Sequence, residues 1–303
     1  MILNNMIAVV TGGASGMGKA CVEALSAGGA RVVVWDKQIT GVETTAIACD
    51  VSSDVEVERA MQQTISKVGV PRIVINCAGI APAKRMVGKE GAMPLAAFKQ
   101  VIDINLVGTF NVMRIAAEAM TSLPIDEESQ ERGVIINTAS IAAYEGQIGQ
   151  LAYSASKGGV VSMTLPAARE LAAQAIRVNT VAPGLIATPM LLNMPQEVQD
   201  SLAATVTFPK RLGHPEEFAS LVLHLIDNRL MNGEVVRLDG ALRMQARCGT
   251  EPLFKPQRPK TPESPSKTSS HNDWIYAAQP PIHPANPPSS PASSPPFRAR
   301  YYH

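Results

Sequence analysis

The sequence has no apolar run long enough to cross a membrane and no surplus of charge of either sign. The apolar runs at residues 7–10 and 134–136 are far shorter than the roughly 20 residues that a membrane-spanning helix needs. The 27 basic and 26 acidic residues leave a formal net charge of +1. Bulk charge therefore favours neither nucleic acid nor an anionic membrane. No secretory signal precedes the first apolar stretch, and we expect a soluble protein.

Cysteine is also scarce, and its spacing matches no metal-ligand motif. The four cysteines are Cys21, Cys49, Cys77 and Cys248. Three of them lie in apolar segments, where a reduced core cysteine is the usual occupant. This pattern predicts no metal site and a reducing compartment, and we expect the protein to be cytoplasmic.

Composition divides the chain in two. Residues 1–247 are rich in aliphatic side chains, whereas residues 248–303 are dominated by proline, serine and basic residues. Proline pairs with PxxP spacing, such as Pro256 and Pro259, predict a disordered or locally polyproline tail. Such a tail either docks on a partner with an aromatic groove or is a flexible appendage. We therefore predict one globular domain, 1–247, followed by a tail, 248–303.

Short apolar runs alternate with helical patterns along the globular part. We predict strands at residues 7–11, 31–35, 46–51, 72–76, 134–138, 176–181 and 235–238. We predict helices at residues 16–28, 54–68, 95–122, 152–174 and 215–227. Strands that are apolar throughout are typical of a parallel sheet covered on both faces. The fold class is therefore α/β, a doubly wound sheet of about seven strands that binds ligands at the carboxyl ends of its strands.

A glycine-rich turn follows the first strand and opens the first helix. It contains Gly12, Gly13, Ala14, Ser15, Gly16, Met17 and Gly18. Glycine permits a tight bend and close approach of a pyrophosphate, and the amides of a helix N-terminus favour an anion. The spacing differs from the commonest dinucleotide fingerprint, but the position between strand and helix predicts a dinucleotide site.

The second strand ends at Asp36, about twenty residues after the turn. A carboxylate there accepts hydrogen bonds from the adenine ribose and repels a 2′-phosphate, which favours NAD. Lys37 follows directly and would weaken that preference if it reached a phosphate. Short side chains at the next two strand ends are expected beside the adenine and ribose: Asp50, Val51, Asn76, Ala78 and Gly79.

Tyr153 and Lys157 are four residues apart, on one face of a predicted helix. A phenol has a pKa near ~10, and a nearby cation lowers it towards a useful value for acid–base chemistry. Ser140 follows the fifth predicted strand, where its hydroxyl would stabilise charge on a substrate oxygen. Asn105 would hold a water that relays protons.

In this order, these residues resemble the short-chain dehydrogenase/reductase family. The resemblance continues through the segment 183–188, which in that family meets the nicotinamide. It implies cofactor contacts from Pro183, Gly184, Ile186, Thr188, Tyr153 and Lys157. Tyr153 would act as the acid or base, Ser140 would hold the substrate oxygen, and Lys157 would lower the pKa of Tyr153 and bind the nicotinamide ribose.

Several segments are similar to the type-2 3-hydroxyacyl-CoA dehydrogenases: 133–140, 145–147, 165–166, 208–209 and 232–240. This resemblance implies oxidation of 3-hydroxyacyl-CoA thioesters with NAD in fatty acid metabolism, a homotetramer, and substrate contacts from Gln147 beside Ser140 and Tyr153. The sequence departs from that group in two places. Residues 37–49 are too few for a full helix between two strands, and the tail has no counterpart.

The insertion at residues 81–94 carries Lys84, Arg85 and Lys89, which either meet coenzyme A phosphates or are simply solvated. Residues 185–212 would form a substrate lid. Two alternatives stay open within the enzyme class: a 3-oxoacyl carrier-protein reductase and a general alcohol or hydroxysteroid dehydrogenase. A third is a catalytically silent scaffold that works through its proline-rich tail.

Overall fold

A seven-stranded parallel sheet forms the centre of the protein. The computed structural model describes residues 3–246, apart from the side chain of Met190. The strands of the main sheet are β1 (Ile7–Thr11), β2 (Arg31–Asp36), β3 (Thr45–Ala48), β4 (Ile73–Asn76), β7 (Gly133–Thr138), β8 (Ile176–Pro183) and β9 (Val235–Leu238). A separate antiparallel pair consists of β5 (Val87–Gly88) and β6 (Gly91–Ala92).

The helices cover both faces of the sheet. They are α1 (Gly16–Ala27), α2 (Asp54–Lys67), α3 (Leu95–Ile102), α4 (Gly108–Thr121), α5 (Leu151–Leu171), α6 (Pro189–Leu192), α7 (Gln196–Thr205) and α8 (Pro215–Asp227). A π-helical turn, Asp103–Val107, joins α3 to α4, and 3-10 turns lie at Ile141–Ala143 and Ala172–Gln174. The apolar side chains of α1 and α8 pack on one face, and those of α2, α4 and α5 pack on the other.

The strands are buried because nearly every residue in them is apolar, as expected for a sheet with two covered faces. In β1, Val9 faces the α2 and α4 side, while Ala8 and Val10 face the α1 and α8 side. This alternation follows the two-residue period of a strand.

The strand order is β3-β2-β1-β4-β7-β8-β9, so the chain winds outward from β1 in one direction and then returns to wind in the other. The switch point lies between β1 and β4, whose last residues Thr11 and Asn76 are paired in register. Ligands of doubly wound sheets bind in the crevice at this point. The fold therefore places its crevice beside the glycine-rich turn.

The seven strands and the doubly wound architecture predicted from the sequence are confirmed. The predicted helix at residues 95–122 was wrong in one respect, since the π-helical turn divides it into α3 and α4. Residues 37–44, all described, form turns and bends without a helix, in line with the short connection noted from the sequence. The predicted lid contains α6 and α7.

Among residues 3–246, no helix combines the length and apolar character needed to cross a bilayer. Within the same part of the chain, no group of three or more histidine, cysteine, aspartate or glutamate side chains is arranged to hold a metal ion. The predictions made for the tail, 248–303, lie outside the described residues.

Candidate active site

The glycine-rich turn allows the backbones of β1 and β4 to come close together. Gly12 has a φ of +65°, and a Cβ there would lie 2.8 Å from the backbone nitrogen of Ala78. A Cβ at Gly18 would collide with the carbonyl of Gly12. Thr11 Oγ1 accepts a 3.2 Å hydrogen bond from the Ala78 amide, which ties the two strand ends together.

Helix α1 begins at Gly16, directly after this turn. Ser15 is its N-cap residue, and Gly16, Met17 and Gly18 form its first turn. The amides of a first turn have no partner earlier in the helix, and the helix dipole is positive there. The Ser15 side chain makes no cap hydrogen bond to these amides, so they suit the binding of a pyrophosphate.

Asp36 lies at the end of β2, on the side of the crevice where the sequence predicts the adenine ribose. Its carboxylate accepts hydrogen bonds from the amides of Ala14 and Gln38, each at 3.1 Å. The glycine-rich turn and the end of β2 are therefore joined by this side chain. A cavity of about 570 Å³ borders Asp36; it is lined by Ala14, Ser15, Lys37, Gln38, Ile39 and Thr40.

Lys37 is paired with a carboxylate and is not free to contact a 2′-phosphate, the contact that would weaken a preference for NAD. Its ammonium donates a 2.8 Å hydrogen bond to Asp50 Oδ2 at the end of β3. Hydrogen bonds from Lys37 and from Ser52 hold the pKa of Asp50 below its usual range, although desolvation acts against them. The Asp50 carboxylate is thus hydrogen-bonded to both Lys37 and Ser52. The carbonyl of the next residue, Val51, accepts a 3.0 Å hydrogen bond from Asn111 Nδ2.

The end of β4 connects the cofactor side to the catalytic side. Asn76 Nδ2 donates a 2.9 Å hydrogen bond to Asn137 Oδ1 on β7. A Cβ at Gly79 would lie 3.1 Å from Asn105 Oδ1 and 3.7 Å from Lys157 Nζ. The absence of a side chain at Gly79 therefore leaves space for the side chains of Asn105 and Lys157 beside the end of β4.

Asn105 lies in the π-helical turn and is fully buried. Its Oδ1 accepts from the Ile80 amide at 2.8 Å, and its Nδ2 donates to the Ile80 carbonyl at 2.8 Å and to Ser156 Oγ at 3.1 Å. Single π-helical turns inside helices are frequent at functional sites. The structure gives Asn105 a positioning role between β4 and α5, and its role in a proton relay stays a prediction.

Lys157 and Tyr153 lie on the same face of α5. The Lys157 ammonium is 5.9 Å from the centroid of the Tyr153 ring and donates a 2.7 Å hydrogen bond to the Thr138 carbonyl. Ser140, two residues after Thr138, hydrogen-bonds the Tyr153 side chain, and its Oγ accepts from the Ala142 amide at 3.1 Å. The predicted serine, tyrosine and lysine are thus brought together at the ends of β7 and α5.

The sequence led us to expect that Lys157 lowers the pKa of Tyr153, and the structure differs. Burial raises the pKa of Tyr153 above its ordinary value, and the hydrogen bond with Ser140 opposes that rise. Burial also lowers the pKa of Lys157 to about 8. The physical reason is that the ammonium is desolvated and directed at the Thr138 carbonyl rather than at the phenolic oxygen.

The segment after β8 meets the glycine-rich turn. Pro183 ends β8, and the Gly184 amide donates a 2.9 Å hydrogen bond to the Leu238 carbonyl of β9. A Cβ at Gly16 would lie 3.2 Å from Thr188 Cγ2, so Thr188 lies beside the start of α1. Ile186 is buried. The cofactor contacts predicted for this segment stay predictions, but its place beside the turn fits them.

Gln147 and the basic insertion lie at the rim. Gln147 is half-buried, and its Nε2 donates a 3.0 Å hydrogen bond to the Gln245 carbonyl. The Lys84 amide donates to the Gly149 carbonyl at 2.8 Å, which joins the insertion to the loop that carries Gln147. Lys84, Arg85 and Lys89 are exposed.

Sequence reasoning missed three participants in the site: Thr138, Ile80 and Ser156. The carbonyl of Thr138 holds Lys157, and the backbone of Ile80 and the hydroxyl of Ser156 hold Asn105. Two of the three act through their backbone, which leaves no mark in a side-chain pattern. Ser156 lies between Tyr153 and Lys157 in the sequence, and this position was the only signal that could have identified it.

Comparison with known proteins agrees with this geometry. Residues 12–242 match a family model described as enoyl-(acyl carrier protein) reductase. The chain is 49% identical over 254 residues to the 3-hydroxyacyl-CoA dehydrogenase type-2 of Homo sapiens, covering 80% of this chain and 97% of the relative. It is 33% identical over 249 residues to the ipsdienol dehydrogenase of Ips pini, covering 80% and 98%.

The fold is also similar to a solved structure, the 3-hydroxyacyl-CoA dehydrogenase type-2 of Mycobacterium avium. The TM-score is 0.75 at 38% identity, covering 81% of this chain and 98% of that one. Together with the tyrosine, lysine and serine at the carboxyl edge of the sheet, these matches are decisive. The chain belongs to the short-chain dehydrogenase/reductase family, whose oxidoreductases generally use NAD(P).

Proposed function

We propose that the protein interconverts 3-hydroxyacyl-CoA and 3-oxoacyl-CoA thioesters with NAD as its cofactor. The observation that carries this proposal is the cluster of Ser140, Tyr153 and Lys157 beside the glycine-rich turn. The substrate class follows from the relatives named 3-hydroxyacyl-CoA dehydrogenase type-2, at 47–49% identity over 97–99% of their length. Because this fold hosts many chemistries, the substrate must be tested directly.

In the proposed mechanism, Tyr153 moves the proton. In the oxidation direction its phenolate accepts the proton of the substrate hydroxyl, and in reduction its phenol returns that proton to the oxygen. A nicotinamide cofactor, when bound, would supply the hydride chemistry at the substrate carbon. Ser140 Oγ accepts from the Ala142 amide and also hydrogen-bonds Tyr153; with substrate bound, its one hydroxyl hydrogen would be donated to the substrate oxygen.

Lys157 supplies charge at a controlled distance from the phenol. With a pKa of about 8, its amine is mostly protonated at neutral pH. Because burial and Ser140, and not Lys157, act on the pKa of Tyr153, the role proposed for this ammonium is to bind the nicotinamide ribose. The Thr138 carbonyl fixes the amine, and Asn105 fixes the neighbouring Ser156, so little reorganisation accompanies proton transfer.

The preference for NAD rests on Asp36. Its carboxylate lies at the end of β2 beside the cavity, where it accepts hydrogen bonds and repels a 2′-phosphate. Lys37, the nearest cation in sequence, is paired with Asp50 at 2.8 Å. This pairing supports the assignment because Lys37 is held away from the place where a 2′-phosphate would need a positive charge.

The basic insertion is the proposed contact for the coenzyme A phosphates. Lys84, Arg85 and Lys89 are exposed on one loop, and the Lys84 amide is bonded to the Gly149 carbonyl. That bond places the loop beside Gln147, the proposed substrate contact. Helices α6 and α7 of the segment 185–212 form the proposed lid over the acyl chain.

We further propose a homotetramer located in the cytoplasm and serving fatty acid metabolism. Apolar side chains are exposed within the protomer at Val107 in the π-helical turn (44%), at Phe110 in α4 (49%) and at Leu165 in α5 (45%). Such side chains on neighbouring helices are typical of subunit interfaces. The cysteines in the described part of the chain are free thiols, which supports a reducing compartment.

The test compares substrates and cofactors with one purified preparation. Acetoacetyl-CoA, acetoacetyl carrier protein and a ketosteroid are each reduced with NADH and with NADPH, and kcat/KM is measured from nicotinamide absorbance. The proposal predicts the highest kcat/KM for acetoacetyl-CoA with NADH. A preference for the carrier-protein thioester with NADPH would replace it with a carrier-protein reductase, and turnover of the steroid alone would replace it with a general alcohol dehydrogenase.

A further inference from the structure

The segment at residues 239–246 folds back across the loop that carries Ser140 and Gln147. The Ile148 amide donates a 2.9 Å hydrogen bond to the Ala246 carbonyl, and Gln147 Nε2 donates to the Gln245 carbonyl. Leu242, in the middle of the segment, is buried at 3% exposure. The end of the globular domain is therefore part of the wall of the site.

Four charged side chains join this segment to the loop, and we call them the C-terminal clasp: Arg237, Glu145, Asp239 and Arg243. Arg237 makes a bidentate pair with Glu145, at 2.8 and 2.9 Å. Its Nε donates to Asp239 Oδ2 at 2.7 Å. Arg243 joins from the solvent side, 3.1 Å from Asp239 Oδ2 and 3.6 Å from Glu145 Oε1.

Arg237 is the centre of the clasp because it contacts both the loop and the segment. One of its amino groups also donates to the Leu242 carbonyl at 3.1 Å, and its guanidinium lies 5.2 Å from the Tyr144 ring centroid. The side chain is only 22% exposed, whereas that of Arg243 is 60% exposed. Bidentate arginine–carboxylate pairs fix orientation as well as distance.

Glu145 links Arg237 to the part of the loop that lies next to Ser140 and Tyr153. Its amide donates a 3.0 Å hydrogen bond to the Ile141 carbonyl, which ties Glu145 to the 3-10 turn that begins after Ser140. The next residue, Gly146, packs so tightly against Ser154 that a Cβ there would collide with the serine hydroxyl. Ser154 is adjacent to Tyr153 on α5, so a shift of Glu145 changes the relation of Ser140 to Tyr153.

We propose that Arg237 is a positioning residue that holds Ser140 against Tyr153 through its bidentate pair with Glu145. Arg237 acts through the loop and touches none of the reacting groups. The inference rests on the proposed function, because it assigns Arg237 to the reaction of Ser140 and Tyr153. It adds a residue 80 or more positions away in the chain to the machinery of the site.

The test uses the full chain with Arg237→Gln, Arg237→Lys and Glu145→Gln. The control is Arg229→Gln, which removes an arginine bonded to Glu128; these two residues precede β9 and β7, whereas the clasp joins the end of β9 to the loop after β7. For each protein we would measure kcat, the Kd for NADH, the thermal midpoint and the ionisation of Tyr153. The last is read from tyrosinate absorbance after subtraction of the Tyr153→Phe spectrum.

We expect Arg237→Gln to lower kcat by about tenfold to a hundredfold, since small misplacements of reacting groups have effects of this size. The Kd for NADH should stay within about twofold. Arg237→Lys should rescue little because an ammonium cannot form the bidentate pair. Tyr153 should ionise at higher pH, because the Ser140 hydrogen bond that lowers its pKa is weakened. Adding Glu145→Gln to Arg237→Gln should have no further effect.

Two results would overturn the proposal. One is an unchanged kcat and unchanged Tyr153 ionisation in a folded Arg237→Gln protein. The other is a parallel loss of kcat, NADH affinity and thermal midpoint that Arg229→Gln shares, which would make the clasp merely structural. If Arg237→Gln does not fold, Glu145→Gln decides by the same readouts. If the wild type does not reduce acetoacetyl-CoA, the proposed function fails, and the Tyr153 ionisation still decides the role of Arg237.

Discussion

The ammonium of Lys157 lies 5.9 Å from the centroid of the Tyr153 ring while it donates its 2.7 Å hydrogen bond to the Thr138 carbonyl. The lysine is therefore placed by a strand end and not by the phenol. Because Lys157 is only 5% exposed, burial lowers its pKa to about 8. Keeping Lys157 charged in this buried site lowers the free energy of unfolding, although the reaction needs the charge.

We expect Lys157→Met to raise the free energy of unfolding at pH 7 while it abolishes turnover. The pKa falls from 10.5 unfolded to about 8 folded, and the difference corresponds to roughly 3 kcal/mol, from which the lost Thr138 hydrogen bond subtracts about 1 kcal/mol. Between these values the unfolded wild type binds more protons, so wild-type stability rises with pH. The advantage of the variant should shrink from pH 8 to pH 10.5.

Urea unfolding across that pH range measures this effect. The control is Lys67→Met, which replaces an exposed lysine in the last turn of α2 and should change stability by less than about 1 kcal/mol at any pH. A Lys157→Met protein that is less stable than the wild type at pH 7 would contradict the burial argument.

Asp36→Ser should shift the cofactor preference towards NADPH. The change removes the charge that repels a 2′-phosphate and the acceptor for the Ala14 and Gln38 amides. Loss of hydrogen bonds to a charged group weakens NADH binding by roughly 2–3 kcal/mol, about thirtyfold or more in KM. The ratio of kcat/KM for NADPH to that for NADH should rise by on the order of a hundredfold. A ratio that does not change would mean that another group reads the ribose.

Arg177→Met should strongly lower the free energy of unfolding, although Arg177 does not contact the active site. Arg177 pairs with Glu131 at 3.1 Å, both side chains are less than 9% exposed, and it donates to the Leu225, Ile226 and Met231 carbonyls. Removing one partner of a buried pair costs about 3–5 kcal/mol because the other charge stays buried. The midpoint of urea unfolding measures the loss.

The double variant Arg177→Met with Glu131→Gln is the matched control for that experiment. It removes the orphaned charge, so it should be more stable than Arg177→Met alone. Equal stability of the single and double variants would show that the carbonyl contacts, and not the ion pair, carry the effect.

Charge reversal of Lys84, Arg85 and Lys89 to glutamate should raise the KM for acetoacetyl-CoA and leave the KM for NADH unchanged. Exposed charge pairs contribute roughly 0.2–1 kcal/mol each, so three reversals predict an increase of about tenfold or more at low salt. Added salt should narrow the gap between variant and wild type because it screens exposed charges. Lys99→Glu on α3 is the control, since Lys99 is exposed but lies outside the insertion.

Local patterns predicted much of this molecule. The apolar runs predicted the strands because burial on both faces leaves a continuous signature, and the glycines predicted the tight turn between β1 and α1. The break at Asn105 could not be predicted, since apolar spacing continues through the π-helical turn. The pKa of Tyr153 depends on burial and on Ser140, which are tertiary properties.

The C-terminal clasp could not be predicted from the sequence because it too depends on tertiary contacts. Arg237 and Glu145 are 92 residues apart, and each alone reads as an ordinary charged residue. Only the fold, which places β9 beside β8 and close to the loop after β7, brings them within 2.9 Å. Long-range ion pairs of this kind require the fold before they can be recognised.

The most direct test of the account is the rate of acetoacetyl-CoA reduction by NADH in the wild type and in Tyr153→Phe, with NADH binding measured in both. The account predicts rapid turnover in the wild type and a kcat lower by roughly 10²–10⁴-fold in the variant, with NADH bound equally well, because only the proton donor is lost. Comparable turnover in both proteins would contradict the role of Tyr153, and absence of turnover in an NADH-binding wild type would contradict the acyl-CoA substrate.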